Sequence, residues 1–199
     1  STNMTWNAFA RNNENSLLLP SPTLAQGYAR EFEALFGGQK EGLGQPVAFA
    51  LEGVEGVAYF SPRGGRLARE ALLKRLSEAQ REVLVAAFVL TDREVLEALL
   101  QARRRGAEVK VLLETRNLGT SREEALLEEG LEVRQDANPY TMHHKVMLLD
   151  GTYVVTGSYN FSVRAHEVNN ENLLVLKSPS LAERYRKEVL RLWEAGSPL

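Results

Sequence analysis

Residues 143–160 read HHKVMLLDGTYVVTGSYN, and this stretch decides the fold class that we predict. It holds two apolar runs, Lys145–Leu149 and Tyr153–Thr156, on either side of an Asp150-Gly151 pair. Asp-Gly favours a two-residue turn whose backbone twist matches that of paired strands. We therefore expect an antiparallel β-hairpin here.

The segments around this hairpin alternate between short apolar runs and amphipathic stretches. Val83–Val89 and Val109–Leu113 have the length and composition of buried strands, and Arg93–Arg105 between them has apolar residues at helical spacing. A helix over Pro179–Glu194 follows the last strand. This order predicts an α/β (α+β layered) domain with a mixed β-sheet flanked by helices on both faces.

The hairpin also carries a set of polar groups with the spacing H-x-K-x4-D-x6-G-S-x-N. Alternate side chains of a strand share a face, so His143 and Lys145 are expected to point together, and Ser158 and Asn160 return on the next strand. Such a set suits phosphoryl transfer, where charge on the equatorial oxygens must be neutralised and a neutral imidazole can attack phosphorus. Glu171 is our candidate for the carboxylate that orients the imidazole.

This motif, with the downstream NNEN tetrapeptide, resembles the HKD signature of the phospholipase D superfamily over about residues 57–199. The layout is most similar to that of the small bacterial endonucleases and the cardiolipin-synthase-like members. The resemblance implies a phospholipase D/nuclease-like fold, a phosphohistidine intermediate formed between two HKD motifs related by a pseudo-twofold axis, and no metal or other cofactor.

The resemblance also implies a role for each residue of the motif. His143 corresponds to the catalytic histidine, Lys145 and Asn160 to the phosphate clamp, and Ser158 to a hydrogen-bonding helper. Asp150 belongs to the catalytic motif, where it usually supports the structure.

An internal repeat relates residues 1–36 to residues 158–193. Sixteen of the 36 aligned positions are identical without a gap. Through this repeat Ser1, Asn3 and Glu14 correspond to residues of the motif half, which makes Ser1 and Asn3 candidate phosphate ligands and Glu14 part of a second half-site. We therefore interpret residues 1–36 as the C-terminal remnant of a first HKD repeat, residues 37–56 as a linker, and residues 57–199 as a complete second repeat.

The chain has one H-x-K, whereas the resemblance requires two. We expect either an upstream first-repeat segment or a second copy in a homodimer to complete the site. Sequence leaves open whether His143 is the nucleophile or the general acid.

Composition narrows the function without fixing the substrate. There is no cysteine, which excludes disulfides and zinc–thiolate sites, and the net charge is −2 at pH 7. An enzyme needs only a local positive cleft, so this charge is compatible with a nuclease acting on DNA, our first hypothesis. A phospholipase or phosphatidyltransferase is the alternative, and an inactive phosphate- or nucleic-acid-binding module is the third. The sequence has no evident targeting or transmembrane segment, and the compartment stays open.

Four further expectations concern residues outside the motif. We expect a structural role for His144 and a surface position for His166. Trp6 and Phe9 either line the substrate groove or pack, and we favour packing.

Overall fold

The hairpin predicted at Asp150 and Gly151 is present in the computed structural model, which describes residues 1–199. Asp150 and Gly151 both have positive φ, 54° and 62°. Leu149 pairs with Tyr153, so the connection also includes Thr152 and is one residue longer than the two-residue turn that we expected. The hairpin lies near the middle of a nine-stranded mixed sheet.

The sheet contains every strand of the chain. The strands are β1 (Val47–Leu51), β2 (Val54–Ser61), β3 (Glu82–Ala87), β4 (Glu108–Leu113), β5 (Glu132–Gln135), β6 (Lys145–Leu149), β7 (Tyr153–Gly157), β8 (Glu171–Lys177) and β9 (Ser197–Pro198). Their order in the sheet is β1-β2-β8-β7-β6-β3-β4-β5-β9. Only β3–β4 and β4–β5 are parallel pairs, so the sheet is mixed, as expected.

Seven helices cover the sheet. They are α1 (Trp6–Ala10), α2 (Pro22–Phe36), α3 (Gly65–Glu78), α4 (Arg93–Arg104), α5 (Glu123–Glu128), α6 (Val163–Glu167) and α7 (Pro179–Ala195). None of them combines the length and the apolar character that crossing a bilayer requires.

Two hydrophobic cores separate the helices by face. One core joins α3, α4, α5 and α6 to one face of the sheet, and the other joins α2 and α7 to the opposite face. Within β6, Met147 and Leu149 belong to the first core, whereas Val146 and Leu148 belong to the second. This alternation places the odd-numbered side chains of β6, including Lys145, on one side of the sheet. His143, two residues before Lys145, is expected to point to the same side.

Residues 1–36 pack against the larger domain. Asn13 forms a parallel bridge with Met142, immediately before β6. Helix α2 packs on β1, where Gly27 lies so close to Val47 that a Cβ atom would meet its side chain at 2.5 Å. The helix can therefore approach the strand only because position 27 has no side chain.

The structure corrects or extends the sequence interpretation in three places. The apolar run Leu17–Leu19 has the composition of a short strand, but it forms no strand in the structure. The apolar run Val47–Leu51, a candidate strand within the interval 37–56 that we interpreted as a linker, forms the edge strand β1. The short helices α1 and α6 were not predicted, since five residues are too few to show helical periodicity.

Candidate active site

His143 stands just before β6 and is held from both its backbone and its ring. Its amide donates to the carbonyl of Asn13 at 2.9 Å, and its Nδ1 lies 3.0 Å from Oε2 of Glu14. A carboxylate can only accept, so Nδ1 carries the proton and Nε2 keeps its lone pair. The pKa of His143 is lowered, chiefly by burial and then by the charge of Lys145, against the opposing effect of Glu14. The imidazole is therefore neutral near pH 7.

The carboxylate that contacts the His143 imidazole belongs to Glu14, so our expectation that Glu171 orients this imidazole is wrong. Glu171 instead accepts a hydrogen bond from Asn169 Nδ2 at 3.2 Å, as Glu14 does from Asn12 at 3.3 Å. The two carboxylates are equivalent in the repeat, but Glu14 reaches across to the histidine of the other half. That crossing is a property of the tertiary structure, so the spacing within one repeat does not reveal it.

Lys145 is buried beside the histidine. Its ammonium donates to the carbonyl of His143 at 2.7 Å and lies 4.6 Å from the centre of the Phe88 ring. Burial lowers the pKa of Lys145 to about 8, while Glu14 and Glu171 act in the opposite direction. The ammonium thus stays charged at neutral pH, where it faces two carboxylates.

The two serines of the repeat make the same local contacts. Ser158 Oγ accepts from the amide and the Nδ2 of Asn172, at 3.0 and 3.3 Å. Ser1 Oγ accepts from the amide and the Nδ2 of Asn15, at 3.1 and 3.4 Å. Equivalent residues therefore form equivalent structures in both halves.

Ser1, Asn3 and Ser158 line one cleft of about 520 Å³. The structure thus brings these three predicted phosphate ligands from both repeats to one surface. Asn160 follows β7, and its Oδ1 is buried without a hydrogen-bond partner.

A reciprocal pair of hydrogen bonds links the two halves. The Tyr28 hydroxyl donates to Asn172 Oδ1 at 3.0 Å, and the Tyr185 hydroxyl donates to Asn15 Oδ1 at 2.8 Å. Each tyrosine bonds the asparagine of the other repeat, as expected of a twofold-related interface. Tyr28 and Tyr185 are identical positions of the sequence repeat, as are Asn15 and Asn172, so the repeat is the signal by which these four residues could have been predicted.

Asp150, which belongs to the catalytic motif, lies at the opposite end of β6 from His143 and contacts none of the candidate site residues. Its carboxylate accepts from the amides of Gln80, Arg81 and Glu82 at 2.9, 2.7 and 3.0 Å. These bonds lower its pKa against the effect of burial. Asp150 therefore fixes the chain entry into β3.

The remaining histidines also have defined surroundings. His144 is buried with its Nδ1 3.0 Å from Asn15 Nδ2, and burial lowers its pKa to about 4. His166, expected on the surface, is buried beside Asp92, because α6 packs against α3.

Trp6 and Phe9, expected to pack, are exposed. Phe88, which contacts both His143 and Lys145, was not predicted, because an apolar residue ending a buried strand has no distinctive sequence signal.

Comparison with known proteins identifies the family of this chain. The family model "Cardiolipin synthase, PLD-like domain" matches residues 72–193. The chain is 36% identical over 129 residues to a mitochondrial cardiolipin hydrolase of Xenopus laevis, covering 64% of this chain and 61% of that protein. It is 33% identical over 128 residues to a phospholipase D of Rickettsia typhi, covering 63% of this chain and 62% of that protein. The chain thus spans about three fifths of the length of these relatives.

Among solved structures, Nuc of Salmonella typhimurium, a phospholipase D family member, is similar with a TM-score of 0.68 and 30% identity. The similarity covers 73% of this chain and 98% of Nuc.

Proposed function

Because the chain belongs to the phospholipase D superfamily, we propose that it contributes half of the active site of a phosphodiesterase that forms a covalent phosphohistidine. The observation that carries the proposal is the neutral imidazole of His143, whose Nδ1–H is held by Glu14 at 3.0 Å beside the Lys145 ammonium. This arrangement leaves Nε2 of His143 without a hydrogen-bond partner in the protein and free to approach phosphorus.

The proposed reaction uses each of these groups in turn. Nε2 of His143 attacks phosphorus, a P–N bond forms, and the P–O bond to the leaving group breaks. The leaving oxygen takes a proton from an acid supplied by the other half-site, and a water molecule later cleaves the P–N bond. The imidazole becomes cationic on attack, so the Glu14 carboxylate stabilises the intermediate. Lys145 neutralises charge on the equatorial oxygens. With a proton on Nε2 as well, His143 would instead serve as the general acid, and the nucleophile would lie in the other half.

We favour nucleic acid, DNA in particular, as the substrate. Support comes from the loop before His143, where exposed Tyr140 lies beneath the Arg11 guanidinium at 4.9 Å, and Arg116 bonds Thr141 and Pro139. Two guanidinium groups held against a loop that carries an exposed aromatic ring suit a phosphate backbone with stacked bases. Nuc, whose whole fold is matched, is the structural neighbour that motivates this choice.

The Arg103–Arg105 run gives no such support. Arg104 pairs with Glu129, and Arg105 bonds backbone carbonyls. The Arg105 guanidinium therefore joins α4 to the end of α3, and the Arg104 guanidinium is paired with carboxylates at the surface.

A phospholipid phosphodiester is the second candidate substrate. The 36% identity to a cardiolipin hydrolase favours it. An inactive binding module is the third candidate, and it requires that replacing His143 leave the function of the assembled protein unchanged.

Turnover in EDTA distinguishes these substrates. The protein, assembled with its second half-site, is incubated with single- and double-stranded DNA, RNA, and vesicles containing cardiolipin. We expect DNA cleavage that His143→Asn abolishes. Hydrolysis of cardiolipin alone would support the lipid candidate, and cleavage unaffected by His143→Asn would contradict the proposed chemistry.

We further infer that an α/β unit preceding residues 1–36 in the same polypeptide completes the site, rather than a second copy of this chain. Residues 1–36 already occupy the face that bonds Asn172 through Tyr28, and Glu14 already holds His143. The equivalent residues of a second copy could reach this face only if residues 1–36 left it. Glu171, equivalent to Glu14, contacts no histidine of this chain and is the expected partner of the missing imidazole.

Light scattering after size-exclusion chromatography tests this inference. We expect that the protein forms no homodimer in which the His143 side chains of two copies share one site. A homodimer whose two His143 side chains can be cross-linked would overturn it.

A further inference from the structure

Phe88 stands immediately after β3, with its backbone fixed on both sides. Its amide donates to the carbonyl of His144 at 2.8 Å, and its carbonyl accepts from Asn117 Nδ2 at 2.6 Å. The first of these bonds ties it directly to the strand that carries His143 and Lys145. The backbone that carries the Phe88 ring is therefore held in place next to the site.

The ring of Phe88 touches the two groups to which the proposed chemistry assigns the main roles. Its centroid lies 4.8 Å from that of the His143 imidazole, with the planes at 73°, an edge-to-face arrangement. The Lys145 ammonium lies 4.6 Å from the same centroid, within the range of a cation–π contact. One aromatic side chain thus contacts both the imidazole and the ammonium.

A ring in this position has two physical consequences. It restricts rotation of the imidazole, which must keep Nδ1 on Glu14 for Nε2 to face outward. It also offers the Lys145 ammonium an attractive electrostatic surface that an aliphatic side chain of similar size lacks.

We propose that Phe88 is a positioning residue that holds the His143 imidazole on Glu14 and stabilises the charged form of Lys145. The proposal rests on the function proposed above, because it assigns Phe88 a role through these two groups. The charged groups that also face Lys145 are Glu14 and Glu171.

Nuclear magnetic resonance on the full chain tests the proposal without requiring turnover. In Phe88→Leu, which keeps an apolar side chain, we expect the hydrogen-bonded Nδ1–H signal of His143 to broaden or disappear. The pKa of Lys145 should fall by about half a unit to one unit, since the cation–π attraction is lost while water stays excluded. Phe88→Tyr, which keeps the ring, should retain both properties.

Phe49→Leu is the matched control. Phe49 is buried in β1, and four strands separate β1 from β3 in the sheet. The substitution removes an aromatic side chain from the core without changing a residue of the site. The Nδ1–H signal of His143 and the pKa of Lys145 should therefore both stay at wild-type values. Phe88→Met replaces Phe88→Leu if that variant does not fold, with the same expectations.

Either readout left unchanged in Phe88→Leu overturns the proposal, as does an equal change in Phe49→Leu. These outcomes are independent of substrate cleavage. If His143→Asn keeps full activity while the Phe88 variants behave as expected, the proposed chemistry fails and the contacts of Phe88 remain established.

Discussion

His143 and His144 are neighbours in the chain but meet different surroundings. The ring of His143 donates to a carboxylate, whereas the ring of His144 accepts from the amide of Asn15 and has a buried Nε2 without a partner. Strand alternation puts the two rings on opposite sides of the sheet. A single residue step therefore separates a group suited to chemistry from one that contributes to packing.

Replacing Glu14 tests which carboxylate holds the imidazole. Glu14→Gln should lower the pKa of both His143 and Lys145, because Glu14 raises both. Glu171→Gln is the control, and it should lower the pKa of Lys145 alone. Titration followed by side-chain resonances measures both, and equal effects on His143 from the two variants would contradict the assignment.

We predict that buried His144 makes the free energy of unfolding fall at acidic pH. Its folded pKa is about 4 against about 6.5 unfolded. Below pH 6.5 the unfolded chain therefore binds a proton that the folded chain does not, and stability is lost as pH falls from about 6.5 to about 4. The loss reaches about 3 kcal/mol. Urea unfolding across this range should show it, and His144→Gln should flatten this pH dependence.

At the scale of the element, the hairpin β6–β7 is fixed at one end by its turn and carries the site at the other. Asp150 holds that turn to the start of β3 through three backbone amides. The strand β6 between them is entirely buried. The turn residue of the motif thus serves the site by fixing the strand on which His143 and Lys145 stand.

Asp150→Ala should destabilise the protein by about 2–3 kcal/mol, since three charge-assisted hydrogen bonds are lost and alanine disfavours the positive φ. Asp150→Asn keeps one acceptor oxygen and tolerates this backbone, so its loss should be smaller. Denaturant unfolding measures both. If Asp150 only supports the structure, the pKa of His143 should be unchanged in both variants. A shift in the pKa of His143 would contradict this structural role.

At the scale of the molecule, three of the most exposed apolar side chains have less exposed counterparts in the second copy of the repeat. Met4, Leu18 and Phe36 are 97, 94 and 84% exposed. Their counterparts in the second copy of the repeat belong to or pack against the two cores: Phe161, Val175 and Trp193. This difference is the one that we expect if the α/β unit proposed above covers residues 1–36.

This difference gives a paired prediction. Phe36→Ala should change stability by less than about 0.5 kcal/mol, because the side chain is exposed in this chain. Trp193→Ala, at the equivalent position, should cost about 3–5 kcal/mol through lost burial. Thermal unfolding compares the two, and a comparable loss in both would show that Phe36 is already covered.

The sequence by itself determined much of this protein. The alternating runs predicted the mixed sheet with helices on both faces, and the Asp-Gly pair predicted the central turn, because strand period and turn chemistry are local properties. The spacing of His143 and Lys145 predicted that they share a face, and the repeat identified Ser1, Asn3 and Glu14 as a group.

Only the tertiary structure decided which groups meet across the repeat. Glu14 rather than Glu171 reaches His143, and Phe88 joins His143 to Lys145. These contacts link residues far apart in the chain, and the contact of Glu14 depends on how residues 1–36 pack against the larger domain. A repeat makes two carboxylates equivalent in sequence, and only packing in three dimensions can distinguish the near one from the far one.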